Sequence, residues 1–158
     1  FDSLSLVENG ALPLRKHRGM THQEATAAAL HFLAQVQMEH AAFQVPADIG
    51  DGLRKRVAIA RALTLEPEFV IFDEPTTGLD PMAAQNVDRL IRSLSDDMGV
   101  TSIVVSHDLR SIFSVADRIA FLYKGRVRLD GSPTDFLEST DPIVRQFITG
   151  QPEGPMDI

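Results

Sequence analysis

Two adjacent carboxylates, Asp73 and Glu74, close the short apolar run FVIFD at residues 69–73. A run of this kind, followed by Pro75, is typical of a strand that is buried on both faces of a parallel sheet. Such sheets bind ligands at the carboxyl ends of their strands, and adjacent residues on a strand point in different directions. Asp73 is therefore a candidate ligand for a hydrated Mg²⁺, and Glu74 is a candidate general base for an attacking water.

A second apolar run, TSIVVS at residues 101–106, leads into His107. Because parallel strands end at the same edge of a sheet, the imidazole of His107 is expected at that edge, where it could hydrogen-bond a γ-phosphate or the catalytic water. Each signal has a simpler explanation when taken alone, since an Asp-Glu pair often only ends a strand and a histidine there often only caps a helix. The longer pattern FVIFDEPTTGLDP at residues 69–81 favours the hydrolytic chemistry.

The segment between the two runs has the pattern of a helix that begins at Pro81. Asp80 is a suitable N-cap, proline fits the first helical position, and Gly99 is a natural stop. The succession of strand, long helix and strand predicts a right-handed parallel crossover. One face of this predicted helix carries an apolar stripe, formed by Val87, Leu90, Ile91, Leu94 and Met98.

Other helices and a hairpin are expected on either side of this unit. Thr21 and Glu24 form a T-x-x-E capping box, which predicts the start of a helix. A second helix is predicted over Leu53–Leu65, after the loop ADIGDG. Beyond the second apolar run, the sequence predicts a short helix, a hairpin that turns at Lys124 and Gly125, and two short helices that each begin with a proline.

The composition is that of a globular domain and excludes several classes of site. The chain has 158 residues, of which 44% are hydrophobic and 23% charged. Its 22 acidic and 15 basic residues give a net charge of -7, which argues against a nucleic-acid partner. The absence of cysteine excludes disulfides and cysteine nucleophiles. No apolar run approaches the ~20 residues that span a bilayer, so we expect no direct membrane insertion.

Several of these strings resemble the motifs of the ABC ATPases. VIFDE at residues 70–74 resembles the Walker B strand, TGLD at residues 77–80 the D-loop, and VVSHD at residues 104–108 the H-loop. RVAIARAL at residues 56–63 resembles the helix that follows the ABC signature. The resemblance covers nearly the whole chain. It implies an α/β fold, with part of a P-loop NTPase (RecA-like) parallel sheet and an ABC-type helical subdomain.

The resemblance also implies roles for individual residues, with ATP and Mg²⁺ as cofactors. Asp73 supports Mg²⁺, Glu74 is the catalytic base, and His107 contacts the γ-phosphate. Asp80 lies at the interface with a second ATPase subunit. That second subunit is one of the partners that the resemblance implies.

The implied domain organisation has four parts. Residues 1–66 form the segment after the Q-loop and the helical subdomain, and residues 67–131 form the RecA-like part with the three motifs. Residues 132–150 form C-terminal helices, and residues 151–158 a flexible tail.

A narrower resemblance, to the ATPase subunits of the Mla and Mce type, rests on segments outside these motifs. They are LVENGALPLRKH, RKRVAIARAL, SIFSVADRIAFLYKGRV and DPIVRQFITGQPEGP. This resemblance implies lipid transport across the bacterial envelope, a transmembrane permease as second partner, and a peripheral position on the cytoplasmic face of the inner membrane. Residues 1–15 would then lie near the surface that faces the permease, unless their apolar side chains only pack locally.

Two motifs of the family are missing from the sequence. No GxxxxGK[ST] loop occurs, so the backbone cradle and the lysine that bind the phosphates are missing, and neither does the Q-loop glutamine. One explanation covers both absences, namely that the chain is the C-terminal portion of a longer subunit. We therefore expect an ATPase of the ABC type only at full length, and no activity from this chain alone.

The ABC signature is altered as well. The LSGGQ-like pentapeptide falls at residues 49–53, where this chain reads IGDGL. The resemblance implies that Gly50, Asp51 and Gly52 approach the nucleotide bound to the other subunit, through the N-terminus of the following helix. Gly50 removes the hydroxyl of the usual serine. Asp51 replaces a glycine, and two like charges ~4 Å apart at an effective dielectric of about 20 repel by about 4 kcal/mol.

Asp51 also has a structural explanation, because aspartate is a preferred N-cap and could satisfy the first N–H groups of the helix. If it did, it would compete with a phosphate for those donors. The neighbouring Arg54, Lys55 and Arg56 could offset its charge, although a basic cluster on a first helical turn is more often a solvated face.

Three functions are compatible with these patterns. The favoured one is a motor, the C-terminal portion of an ATPase subunit that drives a lipid-transporting permease. The alternative is a non-catalytic module that pairs with a complete ATPase or a permease. A DNA-repair or chromosome-organising ATPase head shares the Walker B motif and the D-loop, but the acidic balance and the absence of coiled-coil heptads argue against it.

Overall fold

The computed structural model describes residues 1–156, which form two compact units. The first unit spans residues 1–105 and the second begins at Ser106. The first unit consists of helices α1 (Leu6–His17), α2 (His22–Gln35), α3 (Asp51–Leu63) and α4 (Pro81–Met98), with strands β1 (Phe69–Asp73) and β2 (Thr101–Val105). Two short 3₁₀ turns, at Glu39–Ala41 and Pro46–Asp48, connect α2 to α3.

Helix α1 is an element that the sequence analysis did not predict. Ser5 caps it in a full capping box, in which the Ser5 side chain accepts from the N–H of Glu8 and the Glu8 side chain accepts from the N–H of Ser5. The signal S-x-x-E was therefore present in the sequence, and the helix accommodates Pro13 in its interior. Its apolar side chains pack locally, since Leu6 and Val7 are buried in the core.

Helices α2 and α3 pack with α1 around the main core. The predicted capping box of α2 is confirmed, because Thr21 and Glu24 each accept a hydrogen bond from the other's backbone N–H. Helix α3 begins at Asp51, one half-turn earlier than predicted, and ends at Leu63. The largest fully buried side chains of this unit are Leu6, Leu33, Val36, Met38, Leu63, Val87 and Ile91.

Strands β1 and β2 are parallel, as predicted, and pair Phe69 with Thr101 through Asp73 with Val105. The prediction that β1 is buried on both faces is wrong. Phe72 is buried in the core, but Phe69 and Ile71 are 61% and 62% exposed. Strand side chains alternate between two faces, and within residues 1–105 the helices contact only one of them. The strand pair therefore has one face buried against the helices and one apolar face that residues 1–105 leave exposed.

Helix α4 connects the two strands and has both predicted ends. Its N-cap is Asp80, whose Oδ1 accepts from the N–H groups of Met82 and Ala83 at 2.9 and 3.0 Å. Its C-cap is Gly99, with a left-handed φ of 67° that favours glycine. A parallel crossover of this kind brings the carboxyl ends of β1 and β2 side by side.

The second unit contains a hairpin and three short helices. Its elements are α5 (Leu109–Val115), β3 (Ile119–Tyr123), β4 (Arg126–Gly131), α6 (Pro133–Leu137) and α7 (Pro142–Thr149). Arg118, just before β3, donates two hydrogen bonds to the Asp130 carboxylate on β4. These bonds and the charge of the guanidinium lower the pKa of Asp130. Phe121, Phe136 and Val144 form the centre of a separate small core.

Residues 151–156, predicted as part of a flexible tail, return to α7. The Gln146 side chain is buried and binds both ends of this segment. It accepts from the N–H of Met156 at 2.7 Å and donates to the carbonyl of Gln151 at 3.3 Å. The remainder of the predicted tail, residues 157–158, lies outside the described residues.

The compact units do not follow the four predicted parts of the chain. The first unit joins the helical segment to the parallel strand pair, because α3 and α4 pack together. The four-part division describes functional segments, and it stays a prediction. None of the helices in residues 1–156 is long and apolar enough to cross a membrane.

The turn of the hairpin gives a first testable prediction. Lys124 and Gly125 have φ values of 48° and 72°, as the two central residues of a type I′ turn require. Gly125→Ala should destabilise the second unit by about 1 kcal/mol, because a Cβ is disfavoured in left-handed backbone. Lys124→Asn, which tolerates this backbone better, should stabilise it slightly. Thermal unfolding followed by circular dichroism measures both, and equal melting temperatures for the two variants would contradict the assigned turn.

Candidate functional site

Glu74, the candidate general base, follows β1 in an unusual backbone conformation. Its φ of 47° is left-handed, which costs a non-glycine residue about 1 kcal/mol or more. Its N–H donates to the carbonyl of Val105 at 2.8 Å, which extends the parallel pairing by one bond. Thr77 donates its hydroxyl to Oε2 of Glu74 at 2.7 Å. Strained residues that are held in this way are common at functional sites.

Lys55, on α3, is a third residue that holds Glu74. Its Nζ donates to the Glu74 carbonyl oxygen at 3.4 Å, so the helix after the altered signature is connected to the backbone of the candidate base. Sequence analysis missed both Lys55 and Thr77 as supports of Glu74. Lys55 was noticed only as a charge near Asp51, and Thr77 only as part of the TGLD string. Their contacts arise from the turn after β1, which periodicity does not predict.

Asp73 is the last residue of β1. It is exposed to solvent, as a ligand for a hydrated ion requires. The structure groups no three or more histidine, aspartate or glutamate side chains into a metal site anywhere in residues 1–156. Mg²⁺ in nucleotide sites needs only one or two carboxylates, because waters and substrate phosphates supply the other ligands. Asp73 therefore fits a nucleotide-bound Mg²⁺ and does not fit a metal site made of protein ligands alone.

The altered signature forms the N-terminus of α3. Gly50 is the N-cap, with extended backbone (φ -70°, ψ 164°) and no side-chain cap. Asp51 is the first helical residue, so the expectation that Asp51 is the N-cap is wrong. The Asp51 carboxylate instead binds the guanidinium of Arg54.

The three basic residues after the signature have different contacts, so they are not one solvated face. Arg54 pairs with Asp51, and Lys55 reaches the Glu74 carbonyl. Arg56 lines an open cleft of about 470 Å³ together with the signature and the D-loop. We call it the signature cleft, and its lining residues are Gly50, Asp51, Gly52, Leu53, Arg56, Gly78, Leu79, Asp80, Ala83 and Asn86.

Two glycines of the signature cleft serve different purposes. A Cβ at Gly52 would lie 3.1 Å from the Cβ of Ala83, so glycine allows α3 to approach the start of α4. A Cβ at Gly50 would meet no atom within 4 Å, which leaves this position open to a ligand or to a larger residue. The cleft therefore brings together the three signature residues that were predicted to approach the partner's nucleotide and Asp80, which was predicted at the dimer interface and also caps α4.

His107 lies two residues after the end of β2 and is exposed, as a phosphate-contacting imidazole should be. The simpler explanation, that it caps the next helix, does not hold. Asp108 is the N-cap of α5, and its Oδ1 accepts from the N–H groups of Arg110 and Ser111 at 3.0 and 3.4 Å. His107 belongs to the second compact unit, whereas Asp73 and Glu74 belong to the first.

Comparisons with known proteins give similarities to ABC transporter ATP-binding proteins. The profile of the ABC transporter family matches residues 1–77. The chain is 37% identical to the chloroplastic protein TRIGALACTOSYLDIACYLGLYCEROL 3 of Arabidopsis thaliana, over 99% of this chain and 50% of that protein. It is 35% identical to MlaF of Escherichia coli K12, an intermembrane phospholipid transport system ATP-binding protein, over 99% of this chain and 58% of MlaF. The chain thus spans between half and three fifths of the length of these relatives.

Solved structures give the same result for the fold. The dimeric cassette MJ0796, in a post-hydrolysis state bound to ADP and Pi, matches with a TM-score of 0.70 and 33% identity, over 84% of this chain and 58% of that one. The cassette MJ1267 in its ADP conformation matches with a TM-score of 0.79 over 95% of this chain and 64% of that one, but at 20% identity. The α/β fold is therefore that of the ABC ATPase cassettes, within the P-loop NTPases. Over nearly its whole length, the chain is similar to ABC transporter ATP-binding proteins such as MlaF.

The strained backbone of Glu74 can be tested by a pair of substitutions. Glu74→Gly and Glu74→Ala remove the same side-chain contacts, but only glycine adopts a φ of 47° freely. We expect Glu74→Gly to be more stable than Glu74→Ala by about 1 kcal/mol in urea unfolding. The same pair at Glu138, where φ is -89°, is the control and should not favour glycine. Equal stabilities at Glu74 would show that the backbone there is not left-handed.

Proposed function

We propose that this chain is the hydrolytic, C-terminal portion of the ATPase subunit of an ABC transporter that moves phospholipids or related lipids. The observation that supports this most directly is the conformation of Glu74. Its backbone is held by Val105 and Lys55 and its carboxylate by Thr77, at the end of a parallel strand. A general base requires this kind of fixed geometry, because its contribution depends on its position relative to the water it activates.

Each site residue has a separate task in this proposal. Asp73 would hold the Mg²⁺ that binds together with ATP, and Glu74 would accept a proton from the attacking water or orient it. His107 donates a hydrogen bond to the γ-phosphate. ATP bound with Mg²⁺ supplies the phosphoryl group that is transferred to water. The site therefore combines positioning and charge stabilisation, and it needs no covalent intermediate on the protein.

The part of the nucleotide site that grips the phosphates is not among these 158 residues, since the sequence has no GxxxxGK[ST] loop. Hydrolysis accordingly depends on a P-loop that another segment supplies. In a dimer of two cassettes, the signature cleft of one copy faces the nucleotide held by the other. This chain by itself should hydrolyse no ATP.

Lipid as the transported substrate is the finer part of the proposal. It rests on the resemblance of the segments outside the ATPase motifs, and on the relation to MlaF, whose name describes phospholipid transport between membranes. The proposed partners are a second ATPase subunit and a transmembrane permease at the cytoplasmic face of the bacterial inner membrane. Within residues 1–15, the exposed residues 1–3 and the exposed side chains of Glu8 and Arg15 are available to the permease.

A second candidate function is a non-catalytic module that binds a complete ATPase or a permease. The altered signature favours it, since Asp51 adds a carboxylate where the family has a glycine. The two candidates differ in one outcome. A motor retains hydrolysis once a P-loop is restored, and a non-catalytic module does not.

The test is a chimera in which residues 1–158 replace the matched 58% of Escherichia coli MlaF. We expect this MlaF chimera to hydrolyse ATP in the presence of Mg²⁺, measured as phosphate release. Glu74→Gln should reduce its turnover at least about 100-fold, because the amide cannot accept the proton. ATP binding should remain.

The control is Glu138→Gln, which removes a carboxylate from the end of α6 and should leave turnover unchanged. A chimera that binds ATP and is stably folded, yet releases no phosphate, would support the non-catalytic module. Restored lipid transport in cells that lack MlaF would support the proposed substrate class.

A further inference from the structure

The Asp51 carboxylate presents a physical difficulty for the signature cleft. It lies in the first turn of α3, where the family resemblance implies a glycine beside the partner's nucleotide. An uncompensated carboxylate at this position would repel a phosphate, and the repulsion would be strongest in a closed, dry dimer. The chain must either abandon phosphate contact or neutralise this charge.

The structure contains a neutralising group in the right place. Arg54 donates from Nε to Oδ1 of Asp51 at 3.1 Å, and a second hydrogen bond joins Nη2 to the same oxygen. Nη1 of Arg54 lies 3.5 Å from the carbonyl oxygen of Pro46, in the loop before the signature. All three nitrogen atoms of the guanidinium therefore face atoms of this chain, and the pair carries no net charge.

The N-terminus of α3 is left uncapped by this arrangement. No side chain caps the helix, because Gly50 has none and Asp51 is turned toward Arg54. The space next to Gly50 is also open. The first N–H groups of α3 and its helix dipole are therefore not occupied by the carboxylate that follows them.

We propose that Arg54 is a positioning residue that holds and neutralises Asp51, so that the altered signature can still receive a phosphate of the nucleotide bound to a partner cassette. This inference rests on the proposed function, since it assigns a role within the same site. It explains how IGDGL can replace the usual signature without loss of phosphate contact. Arg54 acts through Asp51 and does not itself touch the phosphate.

A double-mutant cycle on the 158-residue chain tests this role. The variants are Arg54→Gln, Asp51→Gly and the two combined. The probe is inorganic triphosphate at low ionic strength, where surface charges are least screened. Binding is followed by the NMR shifts of the backbone amides of residues 50–53. Arg92→Gln is the matched control, because Arg92 forms a similarly exposed pair with Asp96 at 3.0 Å, and neither of these residues lines the cleft.

Each variant has a defined expectation. Arg54→Gln should weaken triphosphate binding about fivefold, the effect of one unit charge ~4 Å away in water. The double variant should return to within about twofold of the wild-type affinity, because its net charge at the loop is again that of the neutral pair. Asp51→Gly should bind at least as tightly as wild type, and Arg92→Gln should match wild type.

Two results would overturn the inference. If the double variant binds as weakly as Arg54→Gln, Arg54 contacts the phosphate directly and does not act through Asp51. If triphosphate moves no amide of residues 50–53 in wild type or in Asp51→Gly, the loop receives no phosphate. Melting temperatures of all variants identify any loss of folding, and Arg54→Lys, which keeps the charge, should then rescue binding in part.

The outcome is separable from that of the proposed function. A MlaF chimera that hydrolyses ATP while the cycle shows no dependence on Arg54 would leave the motor in place and remove the role of Arg54. A cycle that behaves as expected beside an inactive chimera would leave a phosphate-receiving loop in a non-catalytic module.

Discussion

The parallel pairing of β1 with β2 is the constraint on which the rest of the first unit depends. It fixes the carboxyl ends of the two strands at one edge, and it continues one residue further through the hydrogen bond from Glu74 to Val105. This last bond places Glu74 in left-handed backbone. The long helix α4 maintains the pairing by connecting the strands, and its N-cap, Asp80, belongs to the signature cleft. The geometry of the candidate base and that of the cleft thus have a common origin.

Helix α3 connects these two places. Its first turn carries the altered signature and its Lys55 contacts the backbone of Glu74. In a dimer of cassettes, a signature and a catalytic base of one subunit serve different nucleotides. A rigid helix between them offers a physical route by which occupancy of one site can bias the other, although such coupling requires two distinct arrangements of the helix. The close approach of α3 and α4 at Gly52 keeps this connection tight.

Much of this organisation follows from local sequence signals. The capping box at Thr21, the cap at Asp80 and the glycine stop at Gly99 each predicted a helix end that the structure has. Such signals are readable because a cap or a left-handed stop involves residues only a few positions apart. The motif strings predict roles for Asp73, Glu74 and His107 in the same way, because their order and spacing lie in a continuous stretch of sequence, and these roles stay predictions.

What the sequence did not reveal depends on contacts between distant segments. Helix α1 was missed although Ser5 and Glu8 form a capping box, and its Leu6 and Val7 are buried in the core. The outer face of β1 was expected to be buried. That expectation failed because an apolar run in the sequence does not show how many layers of structure cover the strand. The hydrogen bond from Lys55 to the Glu74 carbonyl was not predictable, because it joins residues nineteen positions apart in the sequence.

The central claim is that this chain supplies the hydrolytic base and a phosphate-receiving signature to a nucleotide gripped by a P-loop elsewhere. A crystal structure of the MlaF chimera with Glu74→Gln, grown with ATP and Mg²⁺, tests it most directly. The account predicts a dimer in which the side chain at position 74 lies within one water of the γ-phosphate, while residues 50–52 of the opposite subunit contact the same phosphate. A nucleotide bound far from position 74, or a dimer in which residues 50–52 face away from it, would contradict the account.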